Sequence, residues 1–423
     1  MLKRLRSSTL AKNSSWMMAG TGTSFIVQSL YFVLLARLLG ATEYGLLAGA
    51  TALIQAASIY SSLGTGFIFM RHVSPDHSRF RAYWGYLLAL TFTGGLVVVF
   101  VIVLIAHWVI RDLSLSAAIC LALGDCLFAQ ITAGAGRVFQ TFERMRYCAI
   151  SNLLVNVLRL CAASAMFVLW RHATVTNWAV ASVSASFIGS ILAMLLVTAT
   201  LGRPILSLRL LPKHFAEGFL FSSTTSTSSV YNDVDKVLLG HYRMNAANGI
   251  YAMAYKAIDT SFMVIRSING AAFPRFCREG AAGIVATKAF AQKLLGKTVW
   301  ISLAISVGLF CAAPLIPIFL GHGFAESVSA LRFLALIPVF RCCNLAAGDA
   351  LSSSGFQRYR FLYELGAAAG NLGINIWLIP RYSWRGAAAS SLATDGALAL
   401  VSWFTVSYLA SRVGKRQVSA ILT

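Results

Sequence analysis

The sequence predicts an all-α polytopic membrane protein of about twelve transmembrane helices, arranged as two pseudo-symmetric six-helix bundles. Three observations carry this. Of 423 residues, 58% are hydrophobic and only 12% charged, about half the charged share of an ordinary soluble domain. Apolar stretches long enough to cross a ~30 Å hydrocarbon layer recur along the whole chain. Short motifs in the first half return in the second at an interval of about six helices.

In order, the apolar stretches lie near 14–36, 45–70, 83–108, 114–137, 147–170, 176–201, 215–240, 249–274, 295–320, 327–353, 361–380 and 386–410. The first follows a basic arm (Lys3, Arg4, Arg6, Lys12) and is too long for a signal-peptide core, so it reads as an uncleaved helix. Every connection is short, and the outward ones run to about five to eight residues, which leaves no room for an extramembrane catalytic domain.

The net charge of +21 would suggest a nucleic-acid partner in a soluble protein. Here the basic residues sit in alternate connections, without the interleaved aromatics that would track a nucleic-acid backbone. One set comprises the N-terminal arm, Arg71/Arg79/Arg81, Arg137/Arg144/Arg146, Arg203/Arg209/Lys213, Arg275/Arg278/Lys288/Lys293, Arg358/Arg360 and Arg412/Lys415/Arg416. The other holds Arg37, Arg111, Arg171, Arg243, Arg381 and Arg385, so 22 basic residues face 6. Basic connections stay on the cytoplasmic side, which predicts both termini in the cytoplasm and membrane lipids rather than nucleic acid as the surroundings.

The eight cysteines and seven histidines are scattered, with no CxxC, HExxH or mixed cluster. Neither a metal site nor a cofactor is expected.

The repeat is visible in three pairs of motifs. Gly66-x-x-Phe69-x-Arg71 returns as Gly270-x-x-Phe273-x-Arg275, and Ala133-Gly134-x7-Phe142-x-Arg144-x-Arg146 as Ala347-Gly348-x7-Phe356-x-Arg358-x-Arg360. Arg37-x-x-Gly40 resembles Lys236-x-x-x-Gly240, and the three offsets are about 200 to 214 residues. An even number of helices separates the copies, so the halves, 1–205 and 206–423, are parallel repeats.

Seven acidic residues fall within the expected spans: Asp125, Asp233, Asp235, Asp259, Asp349, Glu364 and Asp395. Arg159, Lys256, Arg266 and Arg341 are the deepest basic residues. An ionisable group at the bilayer centre costs at least ~2.5 kcal/mol, so each needs a partner, the bundle interior or water. Helical spacing places Asn152, Asn156 and Arg159 on one face of the fifth span, and Glu364, Asn371 and Asn375 on one face of the eleventh. Ser222 to Ser229 is an unbroken Ser/Thr run in the seventh span. A helix lining a hydrated cavity accounts for it better than a re-entrant or partly extramembrane segment does. Any single charge fits a structural ion pair, whereas the group as a whole points to a passage for a polar substrate.

Several motifs carry a family resemblance: Asn13-x-x-Trp16-x-x-x-Gly20, Leu35-Ala36-Arg37-x-Leu39-Gly40-x-x-x-Tyr44-Gly45, Leu63-Gly64 with Arg71, Asp235-Lys236-x-x-Leu239-Gly240 and Gly249-x-Tyr251-x-x-Ala254. With them the chain resembles the polysaccharide-transporter branch of the MOP superfamily, the Wzx-type O-antigen flippases. The resemblance implies a MATE-like fold, no covalent chemistry, and movement of undecaprenyl-pyrophosphate-linked oligosaccharide units to the periplasmic leaflet of a bacterial inner membrane for surface polysaccharide. Polysaccharide polymerase and chain-length machinery are the implied protein partners. The expected headgroup contacts are Arg159, Arg266 and Arg341, with Lys256, Asn152, Asn156, Asn371 and Asn375 beside them. Arginine pairs well with pyrophosphate and amides with sugar hydroxyls. Asp125, Asp259 and Asp395 are the expected ion-coupling residues, because a carboxylate removed from water is the group a proton would neutralise. A MATE-like exporter of organic cations is the competing reading, though deep arginines suit an anionic headgroup better. An integral-membrane polymerase or glycosyltransferase would need active-site loops that the short outward connections do not supply.

Overall fold

The computed structural model describes residues 2–169, 173–206 and 211–422. Arg171 and Arg209 lie outside the described residues, as do the side chains of Lys3, Arg4, Arg6, Lys12, Asn13, Lys213, Lys415, Arg416 and Thr224, Thr225 and Thr227–Ser229 of the Ser/Thr run.

All twelve expected spans are helical, and the described residues contain no strand. Helix α1 (Leu2–Ser61) has 60 residues and breaks at Gly40, whose φ of 69° and ψ of 176° leave the helical region. A helix of that length would measure about 90 Å, so it supplies two spans on either side of the break. The second is continued, after a turn at Ser62–Gly64, by α2 (Thr65–Val73). Then come α3 (Phe80–Val109), α4 (Leu115–Ala122), a π-helical turn (Leu123–Phe128), α5 (Ala129–Thr141), α6 (Met145–Leu169) and α7 (Val175–Leu201). The second half begins with α8 (Leu211–His241), α9 (Asn245–Ala281) and α10 (Ile284–Ala312), followed by the short α11 (Leu315–Leu320) and α12 (Ser327–Leu334). It ends with α13 (Ile337–Ser353), α14 (Gln357–Tyr382) and α15 (Trp384–Leu422).

Among the described residues seven long helical stretches are apolar enough to cross a membrane, or eight if the bent pair α12/α13 is one span. The stretch Gly22–Val73 is one of the seven, and its 52 residues contain two crossings. The remaining membrane-length helices, α8, α9 and α14, carry the Ser/Thr run, the Lys256/Asp259 pair and the Glu364–Asn375 stripe. Three expected spans need correction, among them 45–70, which the turn at Ser62–Gly64 divides. The stretch 295–320 is no single helix: α10 starts at Ile284 and ends at Ala312, with α11 separate after Pro314. The stretch 327–353 bends by 44° between α12 and α13. Proline has no N–H to give and fits best in the first turn of a helix, which is where Pro338 sits in α13.

By contacts the chain forms two units, Met1–Ala246 and Ala247–Thr423. Helix α8 packs on α1 in the first unit, with the hydroxyls of Ser222 and Ser226 donating to the carbonyls of Ile59 (3.3 Å) and Ala56 (3.0 Å). The first core joins Phe69, Trp84, Leu87, Phe139 and Val197. In the second unit Phe276, Ala347, Leu351 and Leu409 belong to one core cluster. Outward faces are equally apolar. On α3, Val97, Phe100, Leu104 and Trp108 recur at helical spacing and are all more than half exposed, which is the surface that lipid covers. Apolar burial gives little net gain where the solvent is itself apolar, so close approach of backbones must hold the helices together. At Gly94 a Cβ would stand 2.5 Å from the Ser61 carbonyl oxygen, so glycine there lets α3 meet the end of α1.

Candidate ion-pair centres within the two units

Each unit encloses an arginine held by carboxylates from other helices. In the first, the π-helical turn widens the span locally and presents Asp125, whose Oδ1 accepts from Nη2 of Arg159 on α6 at 2.6 Å. π-turns of this kind concentrate at functional positions. The same nitrogen reaches Ser186 Oγ on α7 at 3.1 Å. Tyr31 of α1 lies beside the guanidinium and stacks on Trp178 with ring centroids 5.7 Å apart. Arg159 and Asp125 keep only 19% and 17% of their side-chain surface exposed, so four helices converge on one desolvated pair.

In the second unit Arg341 of α13 donates through Nη1 to Asp259 of α9 at 2.8 Å and through Nε to Asp395 of α15 at 3.3 Å. Its guanidinium lies 5.4 Å from the centroid of the Tyr255 ring. The two carboxylates differ: Asp395 is 5% exposed and Asp259 44%. A buried polar seam runs alongside. Tyr251 and Ser391 share a hydrogen bond of 2.9 Å, Asn371 donates to Ser390 (3.2 Å) and Thr394 (3.1 Å), and Asn375 donates to Asn371 (2.8 Å).

The expected headgroup residues thus separate into three environments. Arg159 and Arg341 are already engaged by the three aspartates expected to couple ions. Arg266 is exposed on α9, 5.5 Å from the centroid of the Phe262 ring, with no carboxylate at ion-pair distance among the described residues. Lys256 is half-buried. Asn152 is exposed on α6 and Asn156 donates to its carbonyl at 3.4 Å, whereas Asn371 and Asn375 are buried and occupied within the second unit. The two amide stripes therefore sit in unlike surroundings.

The motif residues mostly build the fold. Gly40 makes the break in α1, Tyr44, Gly45, Gly249 and Tyr251 are buried, and Gly240 lies against Ile110 and Gly49. Arg37 is exposed, Asp235 is buried at 3%, and Lys236 pairs with Asp233 one helical turn away. Sequence reasoning did not find Tyr31, Ser186 or the Ser390/Ser391/Thr394 group. Their only sequence signal is a polar residue at helical spacing within an apolar run, which many such runs contain. A third ionic cluster joins Arg360 to Glu364 (2.9 Å), Ser352 (3.1 Å) and Asp349 (3.8 Å) at the junction of α13 and α14.

Chemically, such centres store a choice. A guanidinium in a desolvated site holds its carboxylate until a proton neutralises the acid or a stronger anion displaces it. Nothing in either centre resembles a nucleophile activated by a neighbouring base.

Comparison with solved structures shows the fold. A MATE-family multidrug-resistance transporter of the MOP superfamily, in its inward-facing conformation, superposes with a TM-score of 0.73 at 14% identity, covering 92% of this chain and 96% of that one. The lipid II flippase MurJ, in an inward closed conformation, gives 0.75 at 13% identity, covering 92% and 87%. An outward-facing MATE transporter gives 0.60 at 15% identity with 96% of each chain covered. The architecture is therefore the MOP fold. No curated protein sequence matches the chain. The family described as polysaccharide biosynthesis protein matches residues 10–279, well over half of the chain, and the chain belongs to that family.

Proposed function

We propose that this protein is a flippase that carries undecaprenyl-pyrophosphate-linked oligosaccharide units from the cytoplasmic to the periplasmic leaflet of a bacterial inner membrane. The units feed synthesis of O-antigen, exopolysaccharide or capsule. What carries the reading is the combination of a polysaccharide-biosynthesis sequence with the MOP fold. The ionic centres supply a mechanism. Moving a charged, hydrated headgroup through hydrocarbon unaided is prohibitive, and lobes that expose a polar path to one side at a time remove that barrier. The moving bodies are the six-helix halves 1–205 and 206–423. Arg266 makes the first contact with pyrophosphate, because no carboxylate among the described residues has to be displaced from it. Asp125, or Asp259 and Asp395, then lets go of Arg159 or Arg341 as the coupling ion is taken up, so that coupling residue and binding residue act as one switch. Polymerase and chain-length proteins receive the flipped unit, and no covalent step is required.

The test is gene deletion followed by analysis of surface polysaccharide and of the prenyl-pyrophosphate-linked sugar pool, with complementation by wild type and Arg266→Ala. Loss of polymer with accumulation of lipid-linked units, restored by wild type alone at equal protein level, is the expected result. Unchanged polymer with raised sensitivity to cationic drugs replaces the flippase by an exporter.

A further inference from the structure

The first unit contains a cavity outside the ion-pair centre. It has a volume of about 200 Å³ and is lined by Ser62, Thr65, Thr91, Gln130 and Arg137, with Gly64, Gly66, Ala133 and Gly134 forming its close walls. It exists because the second span breaks. Leu63 and Gly64 have positive φ of 42° and 63°, which stops α1 and restarts the chain as α2, whereas α9, the corresponding helix of the second half, runs unbroken. Gln130 and Arg137 are seven residues apart on α5, about 10 Å along the axis, so the cavity is a slot rather than a pit.

Two of its hydroxyls are unspent among the described residues. The hydroxyls of Thr65 and Thr91 are buried, at 1% and 0% exposure, and neither has a hydrogen-bond partner. A buried unpaired hydroxyl is unfavourable, a cost that a ligand's polar atoms would remove. The Arg137 stem lies over Gly66, where an added Cβ would stand 3.1 Å from Cγ, and the guanidinium has only a long contact of 3.4 Å to Gln140. Among the described residues no carboxylate lies at ion-pair distance from it. The second unit offers the contrast, for Arg360 lies over Gly348 in the same manner but is neutralised by Glu364 and Asp349. A cation left without its acid, above a slot of hydroxyl, amide and small residues, is complementary to an anion bearing hydroxyls. Phe67, 47% exposed, and Met70 stand at the same cavity, so an acyl or prenyl tail can stay outside.

We propose that this slot binds the phosphate-bearing, hydroxyl-rich headgroup of a lipid, with Arg137 on the phosphate and Ser62, Thr65, Thr91 and Gln130 on hydroxyls. The identification of that lipid as cargo rests on the flippase reading; the existence of the site does not.

The test uses the purified full-length chain in detergent and native mass spectrometry with two probes, undecaprenyl pyrophosphate and phosphatidylglycerol. Variants Arg137→Gln and Gly66→Leu, the second of which fills the slot, are compared with wild type after their melting temperatures are checked. Retention of at least one probe, reduced about tenfold or more in both variants at unchanged melting temperature, is the expected result. Retention of undecaprenyl pyrophosphate makes the slot a cargo site, and retention of phosphatidylglycerol alone makes it a membrane-lipid site. If Gly66→Leu lowers the melting temperature, Gln130→Leu takes its place. Binding of neither probe, or equal binding by variants and wild type, overturns the site. Failure of the flippase reading shows separately, as an unchanged lipid-linked sugar pool in the deletion strain.

Discussion

Arg159 and Asp125 show what a charge inside a lipid-bathed lobe requires. Each is paired at 2.6 Å and largely withdrawn from solvent, so removing one leaves the other uncompensated, and breaking such a pair costs ~3–5 kcal/mol. Arg159→Ala should therefore lower the melting temperature of the purified protein sharply, and adding Asp125→Ala should recover most of the loss. Simple additivity of the two changes in thermal unfolding would show that the pair is not the unit. Arg341 differs because it has two acids in unequal settings. Asp395, at 5% exposure, cannot replace its lost partner with solvent, whereas Asp259, at 44%, is half open and its ion pair is correspondingly screened. Asp395→Asn should thus destabilise more than Asp259→Asn, and the reverse order of melting temperatures would contradict the pairing described.

At the scale of helices, the same logic turns on backbone approach. Gly94→Ala would press a methyl group onto the Ser61 carbonyl at 2.5 Å, whereas a Cβ at Gly296, within α10, meets nothing within 4 Å. The first substitution should cost stability, by ~1–3 kcal/mol as for overpacking, and the second should gain up to ~1 kcal/mol from helix propensity. Thermal unfolding of the two single variants in the same detergent decides this. The contrast also marks how far the sequence could be read. Apolar patterning cannot tell which of the two glycines a neighbouring backbone approaches, because hydropathy reports the solvent around a helix and not its neighbour. The twelve helical stretches, the polar character of α8, α9 and α14, and the presence of Asp125, Arg159, Asp259, Arg341 and Asp395 inside apolar runs were legible, since a charge in such a run is conspicuous. Their partners were not: Arg341 meets Asp259 across 82 residues and Asp395 across 54, separations with no periodicity to betray them. The breaks were only half legible. Pro314 and Gly40 announce themselves by residue type, while the π-turn at Leu123–Phe128 has no sequence signature and yet presents Asp125.

For the molecule as a whole, the arrangement of connections turns a charge count into a topology. Within the first unit, Arg81 Nε donates to the Arg203 carbonyl at 3.2 Å and Arg144 Nη1 to the Thr200 carbonyl at 3.2 Å, so three basic connections gather at one end. The sparse connections gather too. Ser114 meets Thr176 at 2.9 Å, Glu43 accepts from the Val175 N–H at 2.7 Å, His241 bonds the Val109 carbonyl at 2.9 Å, and Asp112 takes Asn245 at 2.7 Å. Helix alternation makes these two sets opposite ends, and basic residues near an anionic cytoplasmic surface are each worth ~1 kcal/mol, so the basic end should face the cytoplasm by a wide margin. A single cysteine introduced in a background lacking the eight native ones tests it in intact cells. Ser114→Cys should react with a membrane-impermeant thiol reagent added outside, and Ser78→Cys, in the basic connection between α2 and α3, only after permeabilisation. The reverse pattern would invert the protein in the membrane, place Arg137 and its slot at the periplasmic end, and require cargo to enter that slot after flipping instead of before.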